Sequence, residues 1–153
     1  MTTSSTTGRC LCGSVRFRIA FPTDFVAHCH CRSCQLAHGA PFVTWTSVPL
    51  DRIEFLEGDE ALRWYRSSEC ILWGFCSHCG SSMFYRADRE GHHESPRTDC
   101  IYISAACLDE LDQNPACHVS CEERSRLLRS LDSIPAYRGK TNERIDWSPE
   151  GEG

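Results

Sequence analysis

Seven of the 12 cysteines stand in three tight groups: Cys10 and Cys12 as CxC, Cys29, Cys31 and Cys34 as CxCxxC, and Cys76 and Cys79 as CxxC. A CxxC step suits zinc because the chain can turn tightly enough for both sulfurs to reach one ion at ~2.3 Å. Gly80 follows Cys79 directly and supplies the positive φ that such a knuckle needs. A redox CxxC would open a helix after a strand, whereas the run from Met83 to Tyr85 reads as a strand, so metal is favoured over redox chemistry. A CxC step works by another geometry, since residues i and i+2 of an extended strand point to one face. Cys10, Cys12, Cys76 and Cys79 together make the complement of a closed tetrahedral site. The middle group is different, because Cys29, Cys31 and Cys34 can hold one ion locally and leave its fourth position for water or substrate. A fourth protein ligand would close it, the candidates being His28, His30, His38 and His78; in a strand His28 and His30 point away from the face shared by Cys29 and Cys31. Thiolate-rich sites select zinc, Cu(I) or iron–sulfur clusters, and these spacings favour Zn2+ at both sites.

The chain of 153 residues is long enough to bury a core without covalent staples, so the cysteines call for a chemical explanation. A net charge of −5 supplies no attraction to phosphate backbones or anionic lipid, which argues against nucleic acid and membrane partners. No apolar run reaches membrane-spanning length, and the stretch from Met1 to Arg9 lacks the apolar core of a signal peptide. The expected compartment is a reducing cytoplasm, where clustered cysteines hold metal more often than disulfides.

The elements that must position these groups are short strands. Val15 to Phe21 alternates apolar with charged, and Phe42 to Val48, Ile53 to Leu56, Leu62 to Tyr65, Ser82 to Tyr85 and Cys100 to Ser104 are rich in β-branched or aromatic residues. Helix is expected only in Ser33 to His38 and, as one short helix, in Glu122 to Leu131. The fold class is therefore all-β, one zinc-stabilised domain over residues 9–140, preceded by a disordered segment 1–8 and followed by an acidic flexible tail 141–153. The polar insert Asp88 to Asp99, with His92 and His93, reads as a surface loop. Cys70, Cys100, Cys107, Cys117 and Cys121 read as small apolar packing residues.

The runs Cys10-Leu-Cys-Gly-Ser-Val-Arg-Phe17, His28-Cys-His-Cys-Arg-Ser-Cys-Gln35 with Gly39, and Phe75-Cys-Ser-His-Cys-Gly-Ser81 closely resemble the glutathione-dependent formaldehyde-activating enzyme family, also called the centromere protein V/Gfa family. The resemblance spans Gly8 to Gly139 and includes a weaker match at Asp132-Ser-Ile-Pro135. It implies a zinc-bearing β-tent (Mss-type) fold with a structural zinc on Cys10, Cys12, Cys76 and Cys79 and a catalytic zinc on Cys29, Cys31 and Cys34. The implied activity is that of a carbon–sulfur lyase joining glutathione and formaldehyde into S-(hydroxymethyl)glutathione, so the implied partners are a small-molecule thiol and an aldehyde. Members commonly carry a basic residue shortly before the FCxxCG motif, where this chain has Trp73-Gly74-Phe75.

One zinc with three thiolates has a formal charge of −1 (+2 and −3), which makes it a poor source of hydroxide but still able to accept a fourth thiolate. The expectation is that an incoming thiol attacks an aldehyde carbonyl held nearby, with Gln35 donating to the developing alkoxide, His30 or His38 moving the proton, and Arg32 facing a carboxylate. The alternative is a zinc-stabilised binding module without catalytic activity, and a third reading is a sensor that loses zinc on oxidation. The occupant of the fourth position separates lyase from module.

Overall fold

Alternation around Phe17 does what a period of two predicts: Phe17 and Ile19 are fully buried while Arg16 and Arg18 stay exposed. A computed structural model describes residues 4–90, 97–131 and 133–146. In chain order the elements are β1 (Ser5–Arg9), β2 (Arg16–Ala20), β3 (Val26–Cys29), α1 (Arg32–His38), β4 (Val43–Pro49), β5 (Ile53–Glu57), β6 (Leu62–Arg66), β7 (Ile71–Cys76), β8 (Ser82–Ala87), β9 (Cys100–Ser104), β10 (Cys117–Val119), β11 (Ala136–Tyr137) and β12 (Arg144–Ile145). The protein is thus strand-rich, as expected, and among the described residues α1 is the one α-helix.

A seven-stranded sheet runs in the order β10-β3-β4-β9-β8-β7-β6, and a three-stranded sheet in the order β1-β2-β5. All pairs are antiparallel except β10 with β3. The core lies where the small sheet covers one face of the large one: Phe17 and Ile19 meet Val48, Met83, Phe84, Ile101 and Ile103, and the Phe17 ring sits edge-on to Phe84 at 5.0 Å. Alternation sends the intervening side chains to the opposite face, where Val43 and Trp45 of β4, Trp73 of β7, Tyr85 of β8 and Tyr102 of β9 gather with Cys34 of α1. Gly74 sits between these layers on β7. A Cβ there would lie 2.9 Å from the Trp64 ring, so the close approach of β6 and β7 requires the missing side chain.

Three sequence expectations change. Ser5 to Gly8, expected to be disordered, lies in β1: Thr6 is buried opposite Ile19, and Gly8 bridges Leu108. Its threonines are good strand formers, and pairing with β2 supplies the apolar partner that the segment itself lacks. The expected flexible tail from 141 contains β12, which pairs with β11, while 147–153 lie outside the described residues. Glu122 to Leu131 forms two separate 3₁₀ turns, Cys121–Glu123 and Arg126–Leu128, because Arg124 and Ser125 are extended and Ser125 caps the second turn. His92, His93 and Asp132 lie outside the described residues.

Phe17→Ala is expected to lower stability by about 3–5 kcal/mol, the cost of emptying a fully buried aromatic site. Urea denaturation measures it, and a loss below about 1 kcal/mol would show that the two sheets do not share this core.

Candidate active site

The turn after β1 carries Cys10 and Cys12, β7 ends on Cys76, and the following turn carries Cys79. Their four sulfurs all lie within 4.8 Å of one another, with Cys10 and Cys12 at 3.6 Å and Cys12 and Cys76 at 3.9 Å. Four sulfurs placed tetrahedrally at ~2.3 Å from one zinc stand roughly 3.8 Å apart, so the donor set fits that ion. Gly80 takes φ +76°, as its place in the knuckle requires, and its N–H reaches the Cys76 carbonyl at 2.7 Å. Ser81 joins the two halves: its hydroxyl accepts from the Leu11 N–H at 3.0 Å and lies 3.2 Å from the Cys79 sulfur. That contact brings the Cys79 thiol down to about 5, whereas burial pushes Cys76 up to about 11.

The second cluster forms where β3 runs into α1. Cys29 ends the strand, Cys31 is the N-cap residue, and the Cys34 N–H donates to the Cys31 sulfur at 3.3 Å. The three sulfurs lie within 4.8 Å of one another, Cys34 to Cys29 at 3.6 Å. The Trp45 indole N–H donates to the Cys34 sulfur at 3.3 Å from the neighbouring strand. A hydrogen bond from the Cys34 thiol brings Cys29 down to about 5; the same bond, together with burial, pushes Cys34 well up. Negative charge in the trio is thus favoured at Cys29, and three cysteine sulfurs at this spacing are a donor set that fits a soft cation.

Among the described residues no fourth histidine, cysteine or carboxylate joins this trio. The histidines that could have closed it are engaged elsewhere. His28 Nδ1 pairs with Thr44 Oγ1 at 2.8 Å, His30 Nε2 with His118 Nδ1 at 2.8 Å, His78 Nδ1 with Ser14 Oγ at 3.1 Å, and His38 Nδ1 donates to the Cys34 carbonyl at 3.2 Å. In place of a fourth ligand the three cysteines border a cleft of about 980 Å³, whose wall includes Trp73, Phe75 and Tyr85. None of Cys10, Cys12, Cys76 and Cys79 lines it.

Several residues expected to act in the cleft do other work. Gln35 is buried and its amide donates to the carbonyls of His30 at 2.6 Å and Glu123 at 2.9 Å, tying the loop after β10 to α1. Its amide donors are therefore already used and cannot serve an alkoxide. Arg32 is exposed, its backbone N–H held by Glu123 and its guanidinium directed to the Gln35 side-chain oxygen at 3.4 Å; it does not line the cleft, and neither do His30 and His38. Sequence reasoning missed Trp45, Trp73 and Tyr85. The available signal was register, since Trp73 and Tyr85 are direct cross-strand partners on β7 and β8. Of the scattered cysteines, Cys100 is buried and Cys107 packs against the core, as expected, but Cys117 and Cys121 are exposed.

The family described as glutathione-dependent formaldehyde-activating enzyme matches residues 5–123. A crystal structure of a Rhodobacter sphaeroides protein superposes with a TM-score of 0.55 at 19% identity, covering 73% of this chain and 98% of that one, which is a likeness of fold. No helix among the described residues is long and apolar enough to cross a membrane.

The two clusters should respond differently to loss of a sulfur. Cys76→Ser is expected to lower the melting temperature by roughly 10 °C or more, because structural zinc binding is coupled to folding. Cys34→Ser should keep most of the stability while lowering the zinc content measured by mass spectrometry. Equal melting temperatures for Cys76→Ser and the parent would sink the structural assignment.

Proposed function

The chain belongs to the glutathione-dependent formaldehyde-activating enzyme family, and from that premise we propose that it is a zinc-dependent carbon–sulfur lyase joining a thiol to an aldehyde such as formaldehyde. The observation that carries this reading is the placing of the clusters: the three-sulfur set borders a cleft and the four-sulfur set does not. A binding module without chemistry has no need for that difference. Cys10, Cys12, Cys76 and Cys79 would hold a structural ion; Cys29, Cys31 and Cys34 would hold the catalytic one. Zinc bound there supplies positive charge that favours the thiolate form of an incoming thiol.

The protein's own groups do the rest. Cys29, Cys31 and Cys34 fix where the incoming sulfur sits relative to the cleft, and the Trp45 N–H holds the Cys34 sulfur in place. The cleft far exceeds the volume of a one-carbon aldehyde, so it has room for the body of the thiol as well. In the reaction the sulfur forms a bond to the carbonyl carbon, the carbon–oxygen π bond breaks, and the proton lost by the thiol ends on the new hydroxyl oxygen. Burial pushes the Tyr85 phenol well above its usual range, so it stays a proton-bearing donor in the cleft wall, suited to a hydrogen bond with that oxygen.

The test is exchange NMR on zinc-loaded protein with formaldehyde and a thiol, using glutathione, 2-mercaptoethanol and benzyl mercaptan in parallel. Adduct formation faster than the uncatalysed background is expected with at least one of them, and Cys34→Ser should reduce the excess rate by about 100-fold. Background rates with glutathione, 2-mercaptoethanol and benzyl mercaptan alike would remove the lyase reading.

A further inference from the structure

The cleft beside Cys29, Cys31 and Cys34 has an unusual wall for a site that would take an anionic peptide. Among the described residues that line it, apart from the cysteines, there is no lysine, arginine, histidine, aspartate or glutamate. Its polar groups are serine hydroxyls and tyrosine phenols, and its apolar lining includes Leu36, Tyr65, Ile71, Trp73, Phe75 and Tyr85. The arginines that follow Cys31, Tyr65 and Tyr85 in sequence do not line the cleft, and the Arg32 guanidinium is directed to the Gln35 side-chain oxygen at 3.4 Å. Arg86, next to Tyr85, lies over the Trp64 ring at 5.0 Å, on the side of the sheet that packs on the core, and Arg66, next to Tyr65, is paired with Asp88.

The aromatic wall is also rigid. Tyr85 is stacked on Tyr102 at 4.3 Å and meets Trp45 edge-on at 4.7 Å. Trp73 gives its indole N–H to Ser67 Oγ at 2.9 Å and stands 5.6 Å from Tyr85. With that N–H occupied, Trp73 offers a ligand ring surface and not a donor. Aromatic surface fixed before binding favours flat or apolar ligands, because little side-chain freedom remains to be lost. A carboxylate entering the same space would lose water, find no cationic side chain among the lining residues, and face a zinc-and-three-thiolate group whose formal charge is −1.

We propose that this site selects an uncharged thiol with an aromatic or apolar body over an anionic peptide thiol such as glutathione. The inference deepens the lyase reading and rests on it for the location of the thiol. Serine hydroxyls in the wall provide neutral hydrogen-bond partners for a hydroxyl or carbonyl on the ligand, and the Trp73 and Tyr85 rings provide the contact for its body.

The test compares benzyl mercaptan with glutathione on the zinc-loaded full chain, with affinity from isothermal titration calorimetry and turnover from exchange NMR with formaldehyde. Benzyl mercaptan is expected to bind about tenfold or more tighter than glutathione. Trp73→Ala should weaken benzyl mercaptan by about tenfold and change glutathione by less than about twofold, since only the first uses the ring. Ser33→Arg places a guanidinium at the rim without touching the aromatic wall, and should improve glutathione binding by several-fold, which keeps the test decisive if Trp73→Ala fails to fold. Equal or tighter binding of glutathione overturns the proposed selectivity whether or not it is turned over. Tight binding of benzyl mercaptan with no acceleration of it, of glutathione or of 2-mercaptoethanol leaves the selectivity standing and removes the lyase reading. Binding of neither thiol overturns both.

Discussion

Thiolates less than 4 Å apart repel one another strongly, and this protein gathers seven cysteine sulfurs at two points. Without a cation such clusters must take up protons unevenly, as the opposed displacements of Cys29 and Cys34 show. A cation bound at either cluster would make its binding and folding parts of one equilibrium. At the four-sulfur cluster the tie joins the turn after β1 to the turn after β7, and with it the small sheet to the large one. The Ser81 hydroxyl, shared between Leu11 and Cys79, adds a second connection at the same point.

The period of two along a strand then separates the clusters in kind. On β7, Ile71, Trp73 and Phe75 line the cleft while Cys76 is buried with the core. On β9, Ile101 and Ile103 fill the core while Tyr102 supports Tyr85 on the other face. One sheet thus has the four-sulfur cluster at the end of a strand whose Cys76 joins the core, and the three-sulfur cluster beside the cleft on its other face. Helix α1 brings Cys34 back beside Cys29 and Cys31 and ends after seven residues, where Gly39 takes the left-handed conformation.

Much of this was legible in the sequence. CxC and CxxC spacing separated four sulfurs from three, and alternation with β-branched and aromatic runs located β2, β4, β5, β6, β8 and β9, six of the twelve strands, because both depend on neighbours only a few residues away. Longer-range pairing was hidden. Ser5–Arg9 is a strand because β2 lies beside it, and Val26–Cys29 and Cys117–Val119 form a parallel pair that no local pattern announces. Gln35 follows Cys34 in sequence, which suggested a catalytic donor, yet the carbonyls of His30 and Glu123 come to it from two other segments. The cleft's aromatic wall was likewise assembled by register: Trp73 faces Tyr85 across β7 and β8, and Tyr85 in turn faces Tyr102 on β9.

The adjacency of Phe75 and Cys76 on β7 has a meaning for descent as well as for chemistry. Consecutive residues of one strand answer to different pressures, since one borders the cleft and the other holds the clasp between sheets. A change of side chain at position 71, 73 or 75 alters the cleft wall, while a change at position 76 strikes the four-sulfur cluster. A scaffold divided in this way lets specificity diverge without loss of the fold that carries it.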